Sequence, residues 1–157
     1  MDGFFHGQVD LPETCHRVFS RHPMATESLH HDAVRQAREI LLSHPAVEAA
    51  YLLGSAAEDR LRRDSDVDIA ILVRRSSAVS VEDRLDLMAT LGALFGRPVD
   101  LGLLDTRNLV YAKEAIARGR LIAERDHTVT ATFAMYVLSM YATLQEARRE
   151  VLRAYAA

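Results

Sequence analysis

The apolar positions of the chain change period along its length, and the changes mark out its elements. A short continuous apolar run at 47–53 reads as a buried strand. At 66–73, Val67, Ile69, Ile71 and Val73 alternate with Asp66, Asp68, Ala70 and Leu72, the two-residue period of a strand whose faces differ. The segment 99–104 repeats that arrangement, with Val99, Leu101 and Leu103 on one face and Asp100 and Gly102 on the other, so both strands are expected to bury an aliphatic face against helices and turn a carboxylate face toward a cleft. Helical spacing fills the intervals. Leu29, Ala33, Ala37, Ile40 and Leu41 make one apolar stripe of a helix over 26–43, with Thr26 or Ser28 as its cap and Pro45 beyond its end. A short helix is expected from Ala56 to about Leu61. Another follows Ser80, ends at Gly96, and buries Leu85, Leu87, Met88, Leu91, Leu94 and Phe95. Asp105 or Thr106 caps a further helix over 108–118, and Leu121-Ile122-Ala123 reads as a short extended piece.

The last helix is expected over 130–155. Its second half is amphipathic, but its first half, from Phe133 to Tyr141, is apolar almost all round apart from Ser139. A helix apolar on every side is covered on more than one. Two covers stay open, a partner chain or the N-terminal extension. The fold class is therefore α/β (α+β): a small mixed sheet of three to four strands, flanked by helices, with a long C-terminal helix. Residues 1–25, interrupted by Gly3, Gly7, Pro12 and Pro23, read as an irregular extension with a short helix near 13–20. Residues 26–157 read as one domain.

Composition narrows the class. A chain of 157 residues, 49% hydrophobic and 26% charged, is sized and balanced for one globular core. Its formal charge of -3 argues against direct nucleic-acid binding. A single cysteine, Cys15, leaves no internal disulfide and fits a reducing compartment. No apolar run approaches the ~18 residues of a membrane span. The first ten residues have neither a basic nor an apolar signal region. A cytoplasmic location is expected.

The chemistry concentrates between Tyr51 and Val73. Asp66 and Asp68 share one strand face with their Cα atoms about 7 Å apart, and Asp100 adds a third carboxylate if its strand lies alongside. An all-oxygen donor set suits Mg²⁺ or Mn²⁺, completed by water and substrate phosphates. Two such ions about 4 Å apart can stabilise the attacking and leaving oxygens of a displacement at phosphorus. Gly54-Ser55 ends the preceding apolar run. There a glycine admits close backbone approach, and a serine offers its hydroxyl and amide to an anion. Arg60, Arg62 and Arg63 follow, a basic run that is usually a solvated loop but here adjoins the anion-binding turn. The geometry assigns the β/γ end of a triphosphate to Ser55, the metals to Asp66 and Asp68, and the attacking hydroxyl's proton to Asp100.

Gly-Ser, ten residues, Asp-x-Asp and a later strand acid together resemble the motif of the DNA polymerase beta-like nucleotidyltransferase superfamily. Over residues 29–141 the compact length and helical tail look most like its minimal, MNT-type members. That resemblance implies ATP as substrate, with Gly54 and Ser55 on the nucleotide and Asp66, Asp68 and Asp100 as metal ligands and catalytic acids; Arg63 of the basic run is a further candidate for the nucleotide phosphates. It also implies a HEPN-type toxin as partner, neutralised by transfer of AMP to a tyrosine hydroxyl, with the C-terminal helix as an association surface. Many members have glycine four residues after the serine; this chain has Asp59, which bears on nucleotide affinity. Two other readings stand beside this one. Transfer to a small molecule such as an aminoglycoside fits the superfamily, but 157 residues leave little room for the extra substrate domain such enzymes carry. A non-catalytic module that blocks a toxin by contact would use the apolar half of the last helix.

Overall fold

The computed structural model describes residues 23–58 and 65–155. The expected extension helix at 13–20, and Asp59, Arg60, Arg62 and Arg63, lie outside the described residues. Helix α1 spans Pro23–Ser43, β1 Val47–Leu52, the single turn α2 Gly54–Ala57 and β2 Val67–Val73. These are followed by α3 Val81–Phe95, β3 Val99–Leu104, a 3-10 turn Thr106–Asn108, α4 Leu109–Arg118, β4 Arg120–Glu124 and α5 His127–Tyr155.

Four strands form one mixed sheet in the order β3-β2-β1-β4. β2 runs parallel to β3, and β1 is antiparallel to both β2 and β4. Helices cover both sides. Ala37 and Leu41 of α1 and Leu87 and Leu91 of α3 pack on Val67, Ile69, Ile71 and Leu101. On the other side, Ala112 and Ala115 of α4 and Val137 of α5 pack on Ala49, Tyr51, Ala70, Leu72 and Leu104. Each fully buried aliphatic side chain in these layers is worth about 1.5–3 kcal/mol of transfer free energy.

Most elements fall where the apolar periods place them, and the differences have local causes. α1 begins at Pro23, so Thr26 and Ser28 lie inside it and neither is its cap. Proline suits a first helical position, because its fixed φ is already helical and its missing N–H would go unpaired there anyway. α2 starts at Gly54 rather than Ala56. The cap of α4 is Asn108, while Asp105 caps the preceding 3-10 turn by accepting the Arg107 amide at 2.9 Å. α5 starts at His127, three residues before the expected Thr130, because Asp126 accepts the Thr128 amide at 2.8 Å. Ser80 caps α3 with a reciprocal Asp83 contact and Gly96 ends it, as expected, but Leu85, expected on its buried side, lies in the first turns at the edge of the packed stripe and is 58% exposed.

The larger correction concerns the carboxylate face of β2 and β3. Alternation suggested one aliphatic face against helices and one acidic face toward a cleft. The acidic face is itself half covered: Ala70, Leu72 and Leu104 lie under α4 and α5, and only its first residues, with Asp68 and Asp100, are exposed. The first half of α5 is also less enclosed than its composition suggested. Val137 and Thr130 are buried, but Met135 is 68% and Tyr136 57% exposed. Among the described residues no helix is long and apolar enough to cross a membrane.

Candidate functional site

Three of the strands end or begin together at one end of the sheet, and the predicted residues gather there. The parallel register places Asp68 directly beside Asp100. Asp66, just before β2, is near enough for its charge to act on Asp68. β1 delivers Gly54 to the same place: the Leu53 amide donates to the Asp68 carbonyl at 2.9 Å. Gly54 holds φ at +54°, a left-handed conformation that glycine adopts freely, and a Cβ there would lie 3.4 Å from Asp68 Oδ2. The turn thus runs close beside the central carboxylate. Ser55 follows as the second residue of α2, half-buried. With only one turn of helix the macrodipole is slight, so its contribution to an anion is its amide and hydroxyl.

The electrostatics of the acids are those of crowded like charges. Asp68 is held above its ordinary range by partial burial first, then by Asp100 and Asp66. Among the described residues the cation at the cluster is Arg84, which crosses from α3 around the sheet edge to place a guanidinium nitrogen 3.8 Å from Asp100 Oδ1. Its Nε is buried with no hydrogen-bond partner among the described residues. The acids line one face rather than closing on a single point: among the described residues no three His, Cys, Asp or Glu side chains form a ready-made metal nest. The donor set still fits a hard divalent cation. It is all oxygen, open to solvent, and carries repulsion that a cation would relieve.

Arg84 and Tyr111 went unseen in the sequence. Tyr111, on α4, lays its ring over Gly102 of β3, two residues beyond Asp100 on the same face. Its hydroxyl is pushed up by burial first, then by Asp100 and Asp68, with Arg84 pulling the other way. It is therefore a neutral O–H donor. A glycine inside a strand marks a close approach of something else, and Gly102 was the available signal. Arg84 had none, since an arginine on an amphipathic helix normally meets solvent.

A separate cavity lies away from the acids. A groove of about 1110 Å³ opens at the opposite end of β2 and β3, lined by Leu72, Leu104, Phe133 and Tyr136, with Arg74, Arg75 and Arg107 at its rim. It contains none of the three acids. Its own carboxylate, Asp105, accepts from Arg107 Nε at 2.7 Å, so its charge is already met there.

The profile of the family described as "Polymerase beta, Nucleotidyltransferase" matches residues 35–128. That stretch holds Gly54, Ser55, Asp66, Asp68 and Asp100. The chain is 27% identical over 110 residues to the protein adenylyltransferase MntA of Shewanella oneidensis, covering 69% of this chain and 76% of that one. Among solved structures, the fold is similar to a chain of the MntA–HepT toxin–antitoxin complex, at a TM-score of 0.61 and 23% identity, over 81% of this chain and 99% of that one. It is likewise similar to a chain in a complex of a tri-AMPylated Shewanella oneidensis HEPN toxin with its MNT antitoxin. There the TM-score is 0.62 and the identity 22%, over 82% of this chain and 99% of that one.

Proposed function

The chain belongs to the polymerase beta nucleotidyltransferase family, and we propose that it transfers AMP from ATP to a tyrosine hydroxyl of a HEPN-type toxin and so acts as its antitoxin in the cytoplasm. The observation that carries the reading is the juxtaposition of Asp68 with Asp100 in register and with Gly54 against its carboxylate. The protein adenylyltransferase name of the Shewanella relative supports the reaction type. The solved toxin–antitoxin complexes of similar fold support the partner.

Each side chain has a role. Gly54 and Ser55, joined by Arg63, hold the β- and γ-phosphates. Asp66, Asp68 and Asp100 hold Mg²⁺ or Mn²⁺, which when bound neutralises the phosphates and stabilises charge at the reacting phosphorus. The acceptor oxygen attacks the α-phosphorus and a new O–P bond forms. The bond to pyrophosphate breaks, and the acceptor's proton passes to Asp100. Asp100 suits a base because its side chain is 70% exposed, so an acceptor can reach it. Partner contact falls to α5, where Val129, Met135, Tyr136 and Leu138 leave apolar surface in water.

That apolar surface also favours a second reading, neutralisation by contact alone. One experiment separates the two. The protein is incubated with Mg²⁺ and ATP labelled on the α- or the γ-phosphate, together with the product of the neighbouring gene. Transfer of the α-label only, lost when Asp66→Asn and Asp68→Asn are combined, supports adenylyl transfer. Neutralisation that survives both substitutions without label transfer supports contact alone.

A further inference from the structure

We infer that Tyr111 forms the acceptor-side wall of the site and positions the incoming hydroxyl-bearing aromatic side chain against Asp100. The inference rests on the nucleotidyl-transfer reading above and names what that reading leaves open, the residue that meets the acceptor.

The fold separates two sides of the acidic face. In the order β3-β2-β1, the phosphate-binding turn follows β1 and Asp100 lies on β3, two strand spacings or about 10 Å away. Asp68 stands between them. Triphosphate on the β1 side therefore leaves the β3 side for the acceptor, and Tyr111 lies on that side. Its ring occupies the space that any side chain at Gly102 would fill. A methyl group there would overlap the Tyr111 hydroxyl oxygen and come within 2.7 Å of Cζ. Gly102 follows Asp100 by two residues on one face, so the hydroxyl over Gly102 lies one side-chain row, about 7 Å, along the strand from Asp100.

Tyr111 also ends the helical cover of this face. Beyond Gly102, Leu104 is buried under α4 and α5, whereas before it Asp100 is open. A half-buried ring with a protonated hydroxyl at that boundary offers an aromatic edge and one hydrogen-bond donor. That combination suits a phenol, which stacks or meets edge-on and accepts the donor. The proton balance of the reaction is unchanged: Tyr111 keeps its own proton, and Asp100 takes the acceptor's. Holding the acceptor oxygen in line is the contribution, and misplacement by about 1 Å costs on the order of 10²-fold in rate.

A side chain that only fills the notch over Gly102 would give a different mutational pattern. The test uses the full chain, Mg²⁺, α-labelled ATP and the product of the neighbouring gene, with KM for acceptor and for ATP and thermal melting as readouts. Tyr111→Leu is expected to raise the acceptor KM at least tenfold and leave the ATP KM unchanged. Gly102→Ala displaces the ring and is expected to do the same while lowering the melting temperature. Combining Gly102→Ala with Tyr111→Leu removes the overlap. It is expected to recover melting but keep the raised acceptor KM. Recovery of both would overturn the inference and leave Tyr111 a packing residue. A rise in ATP KM instead would overturn its placement on the acceptor side. Absence of transfer by the unsubstituted protein would overturn the proposed function, and this inference with it.

Discussion

Glu48 of β1 and Asp68 of β2 are carboxylates on neighbouring strands of one sheet, and the protein treats them in opposite ways. The Glu48 side chain is 5% exposed, accepts the Asp126 amide at 2.8 Å, and lies 3.6 Å from Arg74. Its neighbours answer its charge from within the fold. Asp68 is exposed, and the charged groups that act on it are two further carboxylates. A buried acid with its own donors is a structural joint, tying β1 to the start of α5. An acid crowded by acids is incomplete until something cationic arrives. Burial alone would have pointed to the wrong carboxylate.

Substitution should separate the two completely. Asp68→Asn is expected to cut transfer by about 10³-fold or more, the scale for removing charge stabilisation at a reacting phosphorus, with melting unchanged or raised. Circular dichroism on the same sample checks that the fold persists. Glu48→Ala should reverse the pattern. It leaves the Asp126 amide without its acceptor and costs about 2–3 kcal/mol in chemical denaturation, while activity per folded molecule stays near that of the unsubstituted chain. A large activity loss from Glu48→Ala at full folding would break the comparison.

A smaller effect is expected at the turn beside Asp68. Gly54→Ala places a side chain at φ +54°, costing about 1 kcal/mol. Its Cβ has ordinary room beside Asp68 Oδ2, so the strain is in the backbone. Equilibrium dialysis with ATP should show weakened binding, because the backbone relaxes away from the position that brings Ser55 to the phosphates.

The smallest effect is electrostatic and depends on pH. Asp68 holds its proton more tightly folded than unfolded, since its folded pKa lies above the ordinary 3.8. Ionised at neutral pH without divalent cation, it therefore subtracts from stability. That penalty fades as pH falls through the folded value and is gone below the unfolded one. Solvent screening keeps it under about 1 kcal/mol. In metal-free buffer Asp68→Asn should melt above the unsubstituted protein at neutral pH, and the two should converge in acid. Added Mg²⁺ should raise the melting temperature of the unsubstituted protein and not that of the variant.

The elements themselves were readable because period and punctuation agreed. Alternation in β2 and β3, the Ser80 cap and Gly96 placed strands and helix within a residue or two. Helix starts were less readable, since Pro23 and Asp126 each begin a helix before the first periodic apolar residue. Alternation assigns residues to faces, but it does not tell where along a face a helix stops covering it. That is why Ala70 and Leu72 proved buried on the acidic side. Gly54, Ser55, Asp66, Asp68 and Asp100 were legible from their spacing, and the fold gathers them at one end of the sheet. Glu48 was not, because one acid in an apolar run carries no sign that a distant arginine and a turn amide will meet it. Arg84 and Tyr111 reach the site through packing between layers, which no local pattern encodes.

The central claim, that the crowded acids at the open end of the sheet are the reaction centre, is tested most directly by intact-mass spectrometry of the acceptor. The product of the neighbouring gene is incubated with ATP, Mg²⁺ and either the unsubstituted chain, Asp68→Asn or Glu48→Gln. The account predicts AMP-sized mass increments with the unsubstituted chain and with Glu48→Gln, and none with Asp68→Asn. Increments that persist with Asp68→Asn would contradict it.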